Sequence, residues 1–357
     1  MDREMDALGM LDLMVSPGFC VKEGKIEKCN ASALGLLLRE GTDIASLLAT
    51  GASEYAEFDH GCLHLMLDVF GAKVGASVTR MGRWDIFILE EESEQVELQA
   101  IALSARELRE PLTGILLAAD RLFPMTAVQE DPAMQEQMAR MNRGLYQLLR
   151  IVGNMSDAGR YSTAPAAQQE TVDIPAFMQE VFDKARDLTA HAGITLVFEN
   201  LNHSIYSLAD LEKLERAILN ILSNAIKFTP TGGKITAKLT RKGSRLALTV
   251  QDSGEGIPDA IRSNIHRRWQ RQPAIEDPRF GIGLGMVLIR SAAASHGGAV
   301  LIDHPEDSGT RITMTLAIRQ DTSGTVRSPL FRPDYAGERD HSLIELAEIL
   351  PKELYKF

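Results

Sequence analysis

The segment from Leu214 to Thr229 holds three side chains that can bind a metal ion and an anion side by side. Asn220 and Asn224 are four residues apart, so on a helix they share one face, with Lys227 close by. An amide oxygen is a hard ligand suited to Mg²⁺, and an ammonium group suits a polyphosphate. The spacing predicts a helix with a cation and phosphate site on one face, although such asparagine pairs also arise on helices by chance.

A carboxylate follows a strand-like segment further along the chain. Asp252 opens Asp-Ser-Gly-Glu-Gly-Ile directly after the apolar Leu246–Val250. At a strand end it can accept a hydrogen bond from an adenine amino group, and Gly254 and Gly256 let the backbone pass close to a base. This segment therefore predicts the base end of a nucleotide site.

A third segment, Phe-Gly-Ile-Gly-Leu-Gly at 280–285, leads into the helical Met286–Ser295. Glycines at alternate positions before a helix expose backbone N–H groups to phosphate oxygens. Alone, such a loop is a simple turn about as often as it is a phosphate site.

In this order and spacing the three segments resemble the N, G1 and G2 boxes of the GHKL ATPase superfamily, in the form seen in sensor histidine kinases. The resemblance spans residues 95–318 and implies ATP and Mg²⁺ as ligands. It implies Asn224 as the Mg²⁺ ligand, Asn220 and Lys227 near the phosphates, and Asp252 on adenine. The other residues that it assigns to the pocket are Gly254, Gly256, Gly281, Gly283, Leu284, Gly285 and Thr310.

Further segments match later landmarks of the same family. Ile265–Arg271, with Trp269 in the aromatic position, resembles the F box, and Gln272–Arg279 stands where an ATP lid is expected. His296 follows the last predicted helix of the site. We interpret it as a helix-terminal histidine satisfied by backbone groups, and not as a catalytic base.

Residues 104–115 resemble the phospho-acceptor box of this family, with Arg106 in place of the accepting histidine. A neutral imidazole offers a lone pair for attack on a γ-phosphoryl group, whereas a guanidinium group has none. Glu107 could serve as a base for histidine but cannot activate arginine, and Glu110 replaces the threonine or asparagine that orients water. The other box residues that keep their places are Arg109, Pro111 and Leu112. The resemblance thus implies a protein that binds ATP and does not phosphorylate itself.

Several alternatives stay open at the level of sequence. The chain can be an active kinase that phosphorylates a partner histidine kinase in trans, or a GHKL ATPase of the chaperone or anti-sigma type. Arg106 can be an ordinary exposed arginine paired with Glu110, or it can dock into the acidic pocket of a response-regulator receiver domain.

Two long segments carry heptad seams, in which apolar residues recur in alternating steps of three and four. A break at Phe123-Pro124 and a start near Asp131-Pro132 separate them. One hairpin cannot bury both seams, so we expect a homodimeric four-helix bundle through helices 95–156, with two antiparallel helices per chain. The seam residues are Leu98, Ile101, Ala105, Leu108, Leu112, Ile115, Ala119 and Leu122, then Met134, Met138, Met141, Leu145, Leu148, Val152 and Met155.

The predicted fold class is a multidomain α+β protein. Residues 1–92 resemble a PAS-like α/β sensor module because short helices separate a hairpin at Glu23-Gly24 from three later strands. The helical hairpin follows at 93–158 and a linker at 159–170. A GHKL-type α/β sandwich is expected at 171–320, and a tail with a short amphipathic helix at 321–357.

Bulk composition excludes several classes of protein. A net charge of −11 over 357 residues argues against broad binding to nucleic acid, which needs a basic face. No apolar run reaches the roughly 18–20 residues needed to cross a bilayer, so we expect a cytoplasmic protein without a membrane span. Cys20, Cys29 and Cys62 form no Cys-x-x-Cys pair and are expected to be free thiols.

Overall fold

The computed structural model describes residues 9, 11–12, 14–122, 132–163, 169–256, 283–305, 309–319 and 340–355. Four parts follow one another along the chain. We call them the N-terminal module (18–89), the long helices, the C-terminal domain (170–319) and the tail (340–355).

The N-terminal module is an antiparallel five-stranded sheet with short helices between its second and third strands. Glu23 and Gly24 both have positive φ, as a two-residue hairpin requires, so the predicted hairpin is confirmed. Phe19 stacks on Phe87 in the core beneath the helices. The elements are β1 Gly18–Lys22, β2 Lys25–Cys29, α1 Ala31–Gly35, α2 Ala52–Glu57, β3 Cys62–Val69, β4 Ala72–Met81 and β5 Trp84–Leu89, with a 3-10 turn at Ile44–Ser46.

The long helices are α3, Glu92–Leu122, and α4, Pro132–Thr163, and they pack along one another. α4 runs past the predicted boundary at residue 158 into the segment expected to be a linker. Gly159 does not end the helix because it is buried where α4 meets the start of α3, and a Cβ there would overlap Ala102. A small residue is needed for this close crossing, so glycine marks a helix contact here and not a break.

Each seam divides into two rows of residues. In α3, Ala105 and Leu112 are buried against α4, whereas Leu108 and Ile115 between them are about half exposed. In α4, Leu145 and Val152 are buried and Leu148 is exposed. The hairpin thus covers part of each seam and leaves Leu108, Ile115 and Leu148 on its surface, while Met141 and Met155 pack partly against the covered row.

The C-terminal domain places three helices against a mixed sheet. α6 begins at the N-cap Asp210, whose carboxylate accepts a hydrogen bond from the Lys213 N–H, and its apolar residues are almost all buried against the sheet and the neighbouring helices. The elements are β6 Glu170–Asp173, α5 Ile174–His191, β7 Thr195–Glu199, β8 Tyr206–Ala209, α6 Leu211–Phe228, β9 Lys234–Lys242, β10 Arg245–Asp252, α7 Leu284–Ser295, β11 Val300–Asp303 and β12 Arg311–Ala317.

One sheet of ten strands joins the N-terminal module to the C-terminal domain, in the order β2-β1-β5-β4-β3-β11-β12-β10-β9-β7. At the junction β3 pairs antiparallel with β11, and Leu63 lies opposite Leu301. The Glu54 carboxylate adds an ion pair with Arg245 and accepts a hydrogen bond from the Thr315 hydroxyl. Each domain thereby covers a sheet edge that would otherwise present unpaired backbone groups.

The tail packs against α4 and α6 and contains a helix, α8, at His341–Glu345, followed by a 3-10 turn at Lys352–Tyr355. The apolar pattern of the tail suggests a longer helix. The helix ends early, and Pro351 interrupts the backbone hydrogen bonding that a continuous helix would need. Leu346, Ala347, Leu350 and Tyr355 are nonetheless fully buried.

Candidate functional site

A cavity of about 480 Å³ lies between α4, α6, the start of α7 and the tail. This volume is within the range of pockets that hold small ligands, roughly 300–1,000 Å³. The residues that line it are Gln147, Arg150, Ile151 and Asn154 of α4, Asn220, Asn224, Lys227 and Phe228 of α6, Gly283, Leu284, Gly285 and Met286, and Glu348 of the tail.

Helix α6 supplies the polar wall of this cavity. Asn220 is 1% exposed and donates from Nδ2 to the Arg216 carbonyl oxygen at 2.8 Å. Asn224 is half-buried, and no hydrogen bond among the described residues engages its amide. Asn220, Asn224 and Lys227 therefore line one cavity, as their spacing predicts for a helix, and the Asn224 oxygen is available to a ligand.

The start of α7 faces α6 across the cavity. Gly283 is the N-cap of α7 and has φ of 82°, a left-handed conformation that favours glycine. Gly285 lies so close to α6 that a Cβ would stand 2.7 Å from Asn220 Oδ1. Among the described residues no side chain caps this helix, and its first residues line the cavity, so their backbone N–H groups are potential partners for anionic groups.

Asp252 is the last residue of β10, in the same buried row as Leu246, Leu248 and Val250. Its Oδ1 accepts hydrogen bonds from the N–H groups of Gly254 at 2.9 Å and Thr310 at 3.1 Å. Burial raises the pKa of the Asp252 carboxyl group, although these N–H groups counteract part of the rise. Both bonds among the described residues use Oδ1, which leaves Oδ2 for a donor on a ligand.

The Asp252 cluster and the cavity meet at the end of α6. A Cβ on Gly254 would overlap the backbone carbonyl of Phe228, which lines the cavity. Gly256 has φ of 76° and lies against the His304 ring. These glycines permit a close approach of three chain segments, so the Asp252 carboxylate and the cavity lie at the two sides of one helix end.

Two charged residues of the cavity are absent from the sequence prediction. Glu348 of the tail forms ion pairs with Lys227, at 2.6 Å, and with Arg150 of α4. Burial raises the pKa of Glu348, but the hydrogen bond and charge of Lys227 and the charge of Arg150 outweigh it and hold the pKa below its ordinary value. Burial lowers the pKa of Lys227, and Glu348 partly restores it. Neither Arg150 nor Glu348 belongs to a motif, so no local signal in the sequence indicates them.

His296 is 2% exposed at the end of α7. Its Nδ1 lies 2.7 Å from the Ala292 carbonyl oxygen, and its Nε2 accepts from the Asp210 N–H at 3.0 Å. Burial lowers its pKa to about 4. The prediction of a structural histidine held by backbone groups is confirmed.

The acceptor position lies on α3, away from these contacts. Arg106, Glu107 and Glu110 are all exposed, beside the fully buried Ala105. Among the described residues no ion pair joins Arg106 to Glu110, so the expected pairing one helical turn apart is not present.

Several predicted residues lie outside the described part of the chain. They are Gly281, the F-box-like segment Ile265–Arg271 and the lid-like segment Gln272–Arg279. Their assignments stay predictions.

In the described parts of the chain, none of the helices has both the length and the apolar composition that spanning a bilayer requires. The cytoplasmic location expected from sequence stays a prediction. The three cysteines are free and buried.

The family model for the "Histidine kinase-, DNA gyrase B-, and HSP90-like ATPase" matches residues 209–320. An adaptive-response sensory kinase SasA of Rippkaea orientalis is 29% identical over 228 residues, which are 61% of this chain and 57% of that protein. The signal transduction histidine-protein kinase/phosphatase MprB of Mycobacterium sp. strain KMS is 28% identical over 286 residues, which are 78% of this chain and 53% of that protein.

A solved structure of a mycobacterial sensor histidine kinase MprB is 30% identical to the chain, with a TM-score of 0.35, and covers 43% of this chain and 99% of that one. The chain spans about half the length of the curated relatives described above. The family model coincides with the part of the chain that carries Asn220, Asn224 and Asp252.

Proposed function

Because this chain belongs to the sensor histidine kinase family, we propose that it binds ATP with Mg²⁺ in the cavity beside α6 and signals without phosphorylating itself. The observation that carries the first half of this proposal is the shared cavity of Asn220, Asn224 and Lys227, with Asp252 at the adjoining turn. The second half rests on the chemistry of Arg106.

The cavity has groups that suit each part of the nucleotide. Asp252 Oδ2 can accept from the adenine amino group, and the N–H groups at the start of α7 can donate to phosphate oxygens. The buried ammonium group of Lys227 can pair with the phosphates. We assign the base to the Asp252 side and the phosphates to the side of α4.

The Mg²⁺ ion fits beside Asn224. Its amide oxygen is a hard ligand without a partner among the described residues, and phosphate oxygens and water can complete the six-fold coordination that Mg²⁺ prefers. Bound Mg-ATP would supply the γ-phosphoryl group for transfer.

The acceptor position argues against self-phosphorylation. Arg106 is exposed, so its guanidinium stands where a partner surface can reach it, but this group has no nitrogen lone pair to attack phosphorus. Glu107, next to it, is too weak a base to remove a proton from a guanidinium group and so create that lone pair. An exposed guanidinium can instead pair with carboxylates of a receiver domain, which we propose as the partner.

Incubation of the purified protein with γ-labelled ATP tests this function. We expect Mg-ATP to bind in a calorimetric titration. We expect the labelling experiment to leave no acid-labile, base-stable label on this chain. Label on Arg106 or on a histidine of this chain would contradict the proposal. Label that arises only on an added partner kinase would select transfer in trans, which the cavity equally permits.

We also propose that the chain forms a homodimer through the exposed row of the seams. Ile115 and Leu117 are 54% and 53% exposed, but only Ile115 belongs to the seam. Ile115→Glu should therefore dissociate the dimer in light scattering, while Leu117→Glu, the matched control, should not. A monomeric wild-type protein, or equal effects of the two changes, would contradict the bundle.

The N-terminal module is proposed to be a PAS-like sensor. Its hairpin, short helices and three-stranded meander support this assignment. The pairing of β3 with β11 gives the module a direct route to the ATP-binding domain.

A further inference from the structure

The carboxylate of Glu348 occupies the cationic end of the cavity. It pairs with Lys227 of α6 at 2.6 Å and with Arg150 of α4, and it lines the same space as Asn220 and Asn224. Two cations that could serve a phosphate thus share one carboxylate supplied by the tail. A carboxylate and a phosphate offer such cations the same kind of oxygen acceptor.

Arg150 does not depend on Glu348 for its position. It is 8% exposed, and its Nη2 donates to the Ser223 hydroxyl of α6 at 2.9 Å, with Glu345 nearby at 3.6 Å. Ser223 is itself fully buried. If Glu348 leaves, the guanidinium remains beside Lys227, because a second set of contacts anchors it.

The tail is also held by contacts that do not involve the cavity. The buried Glu345 carboxylate lies 3.2 Å from Arg216, and Asn142 donates to the Tyr355 carbonyl oxygen at 3.1 Å. Arg143 donates to the Ala347 carbonyl oxygen. These contacts keep Glu348 next to the cations at a high effective concentration.

We propose that Arg150 and Lys227 form a phosphate subsite, and that Glu348 is a built-in competitor which fills this subsite until a nucleotide phosphate displaces it. The proposal rests on the ATP-binding function proposed above and adds two residues to it. Arg150 becomes a nucleotide-binding residue contributed by α4. Through Glu348, the tail becomes a regulator of nucleotide binding.

Displacement of Glu348 has a consequence outside the cavity. The tail joins α4 to α6 through Glu345, Glu348 and the bond between His341 and Glu215 at 2.9 Å. A nucleotide that competes with Glu348 weakens this connection. By linkage, any partner that pulls the tail away from the cavity must raise the affinity for nucleotide by the same factor.

Calorimetric titration of the full chain tests the proposal with three probes: Mg-ATP, inorganic triphosphate and adenosine. Glu348→Gln keeps the shape of the side chain and removes its charge. We expect about tenfold tighter binding of ATP and of triphosphate, the effect of one charge-assisted hydrogen bond. Adenosine affinity should not change, since adenosine has no phosphate.

Glu353→Gln is the matched control, because Glu353 lies on the same tail but is exposed. It should leave all three affinities unchanged. Arg150→Gln should weaken ATP and triphosphate about tenfold, and Arg150→Lys should recover part of the loss. Thermal unfolding of each variant verifies that the fold is kept.

The outcomes separate the two proposals. If the wild type binds ATP and Glu348→Gln binds it no more tightly, the competitor is excluded while the nucleotide site stands. Equal tightening for adenosine would also exclude it, since the tail would then act on the whole cavity and not on a phosphate subsite. If neither the wild type nor Glu348→Gln binds ATP, the nucleotide site itself fails.

Discussion

The acceptor-like segment on α3 and the cavity beside α6, the proposed nucleotide site, are built in opposite ways. Arg106, Glu107 and Glu110 stand exposed, whereas Asn220 and Asp252 are almost fully buried and hydrogen-bonded to the backbone. At the acceptor position the chemistry depends on the identity of one side chain. In the cavity it depends on contacts among several segments of the chain.

This difference has a physical cause. A side chain that accepts a phosphoryl group has to be reached by the domain that delivers the group. Such an acceptor therefore has to project into solvent. A nucleotide must be held, and buried groups interact more strongly because water does not screen them. Changes in the cavity should therefore alter both binding and stability, while a change at position 106 should alter chemistry alone.

The largest effect is expected from Asp252→Asn, which tests the buried side of the comparison. The amide oxygen can still accept from Gly254 and Thr310, but the amide NH₂ would then face the adenine amino group, donor against donor. We expect the affinity for ATP to fall by more than about 1,000-fold, since the adenine amino group loses its acceptor and two donors then face each other. Calorimetric titration measures the loss.

Asp187→Asn, on the exposed face of α5, is the matched control because it removes the same negative charge far from the proposed contact. This variant should bind ATP as the wild type does. Unchanged affinity in Asp252→Asn would remove Asp252 from the site.

The second prediction concerns acid and the buried His296. Its pKa is lowered from 6.5 to about 4 in the folded chain, so the unfolded chain takes up a proton first as the pH falls. The stabilisation is complete above pH 6.5, is lost between pH 6.5 and about 4, and amounts to roughly 3 kcal/mol at most. Urea unfolding across this window measures it.

His296→Gln should reduce the pH dependence of the free energy of unfolding in that window, because the variant lacks the titrating imidazole. The acidic groups titrate in both proteins and therefore cancel in the comparison. Equal slopes for the variant and the wild type would show that His296 takes up its proton in the folded state.

The third prediction tests how closely the turn after Asp252 approaches the end of α6. A methyl group in Gly254→Ala would overlap the Phe228 carbonyl, which is backbone and cannot turn aside. We expect a loss of about 1–3 kcal/mol in the free energy of unfolding. Gly144→Ala in α4 has open space around the new Cβ and should be neutral or up to about 1 kcal/mol more stable.

The smallest effect on stability is expected at the acceptor position. Arg106 has no ion pair with Glu110 and is exposed, so Arg106→His should change the free energy of unfolding by no more than about 0.5 kcal/mol. It should nevertheless introduce acid-labile, base-stable label from γ-labelled ATP, because the imidazole brings a lone pair. If the variant folds and binds ATP but stays unlabelled, further parts of the transfer machinery are missing.

Local features of the fold could be predicted from sequence. The hairpin at Glu23-Gly24, the strands up to Trp84–Leu89 and the start of α4 at Pro132 agree with their patterns, because turn chemistry and side-chain periodicity act between near neighbours. The end of α4 was predicted too early. Gly159 carries the same local signal whether it ends a helix or lets two helices touch.

The heptad seams were visible in the sequence, but their division was not. Ala105 and Leu108 are equivalent in the pattern, yet one is buried within the hairpin and the other is half exposed. Only the angle at which α3 meets α4 decides this, and no single helix contains that information.

The sequence by itself determined the chemistry that each side chain can perform: Arg106 cannot donate a lone pair, and Asn224 and Lys227 share one helix face. The tertiary structure alone decided which distant residues meet. It brought Glu348 to Arg150 across 198 positions and paired β3 with β11. Side-chain chemistry and periodicity are properties of a residue and its near neighbours, whereas such long-range contacts follow from the packing of the whole chain.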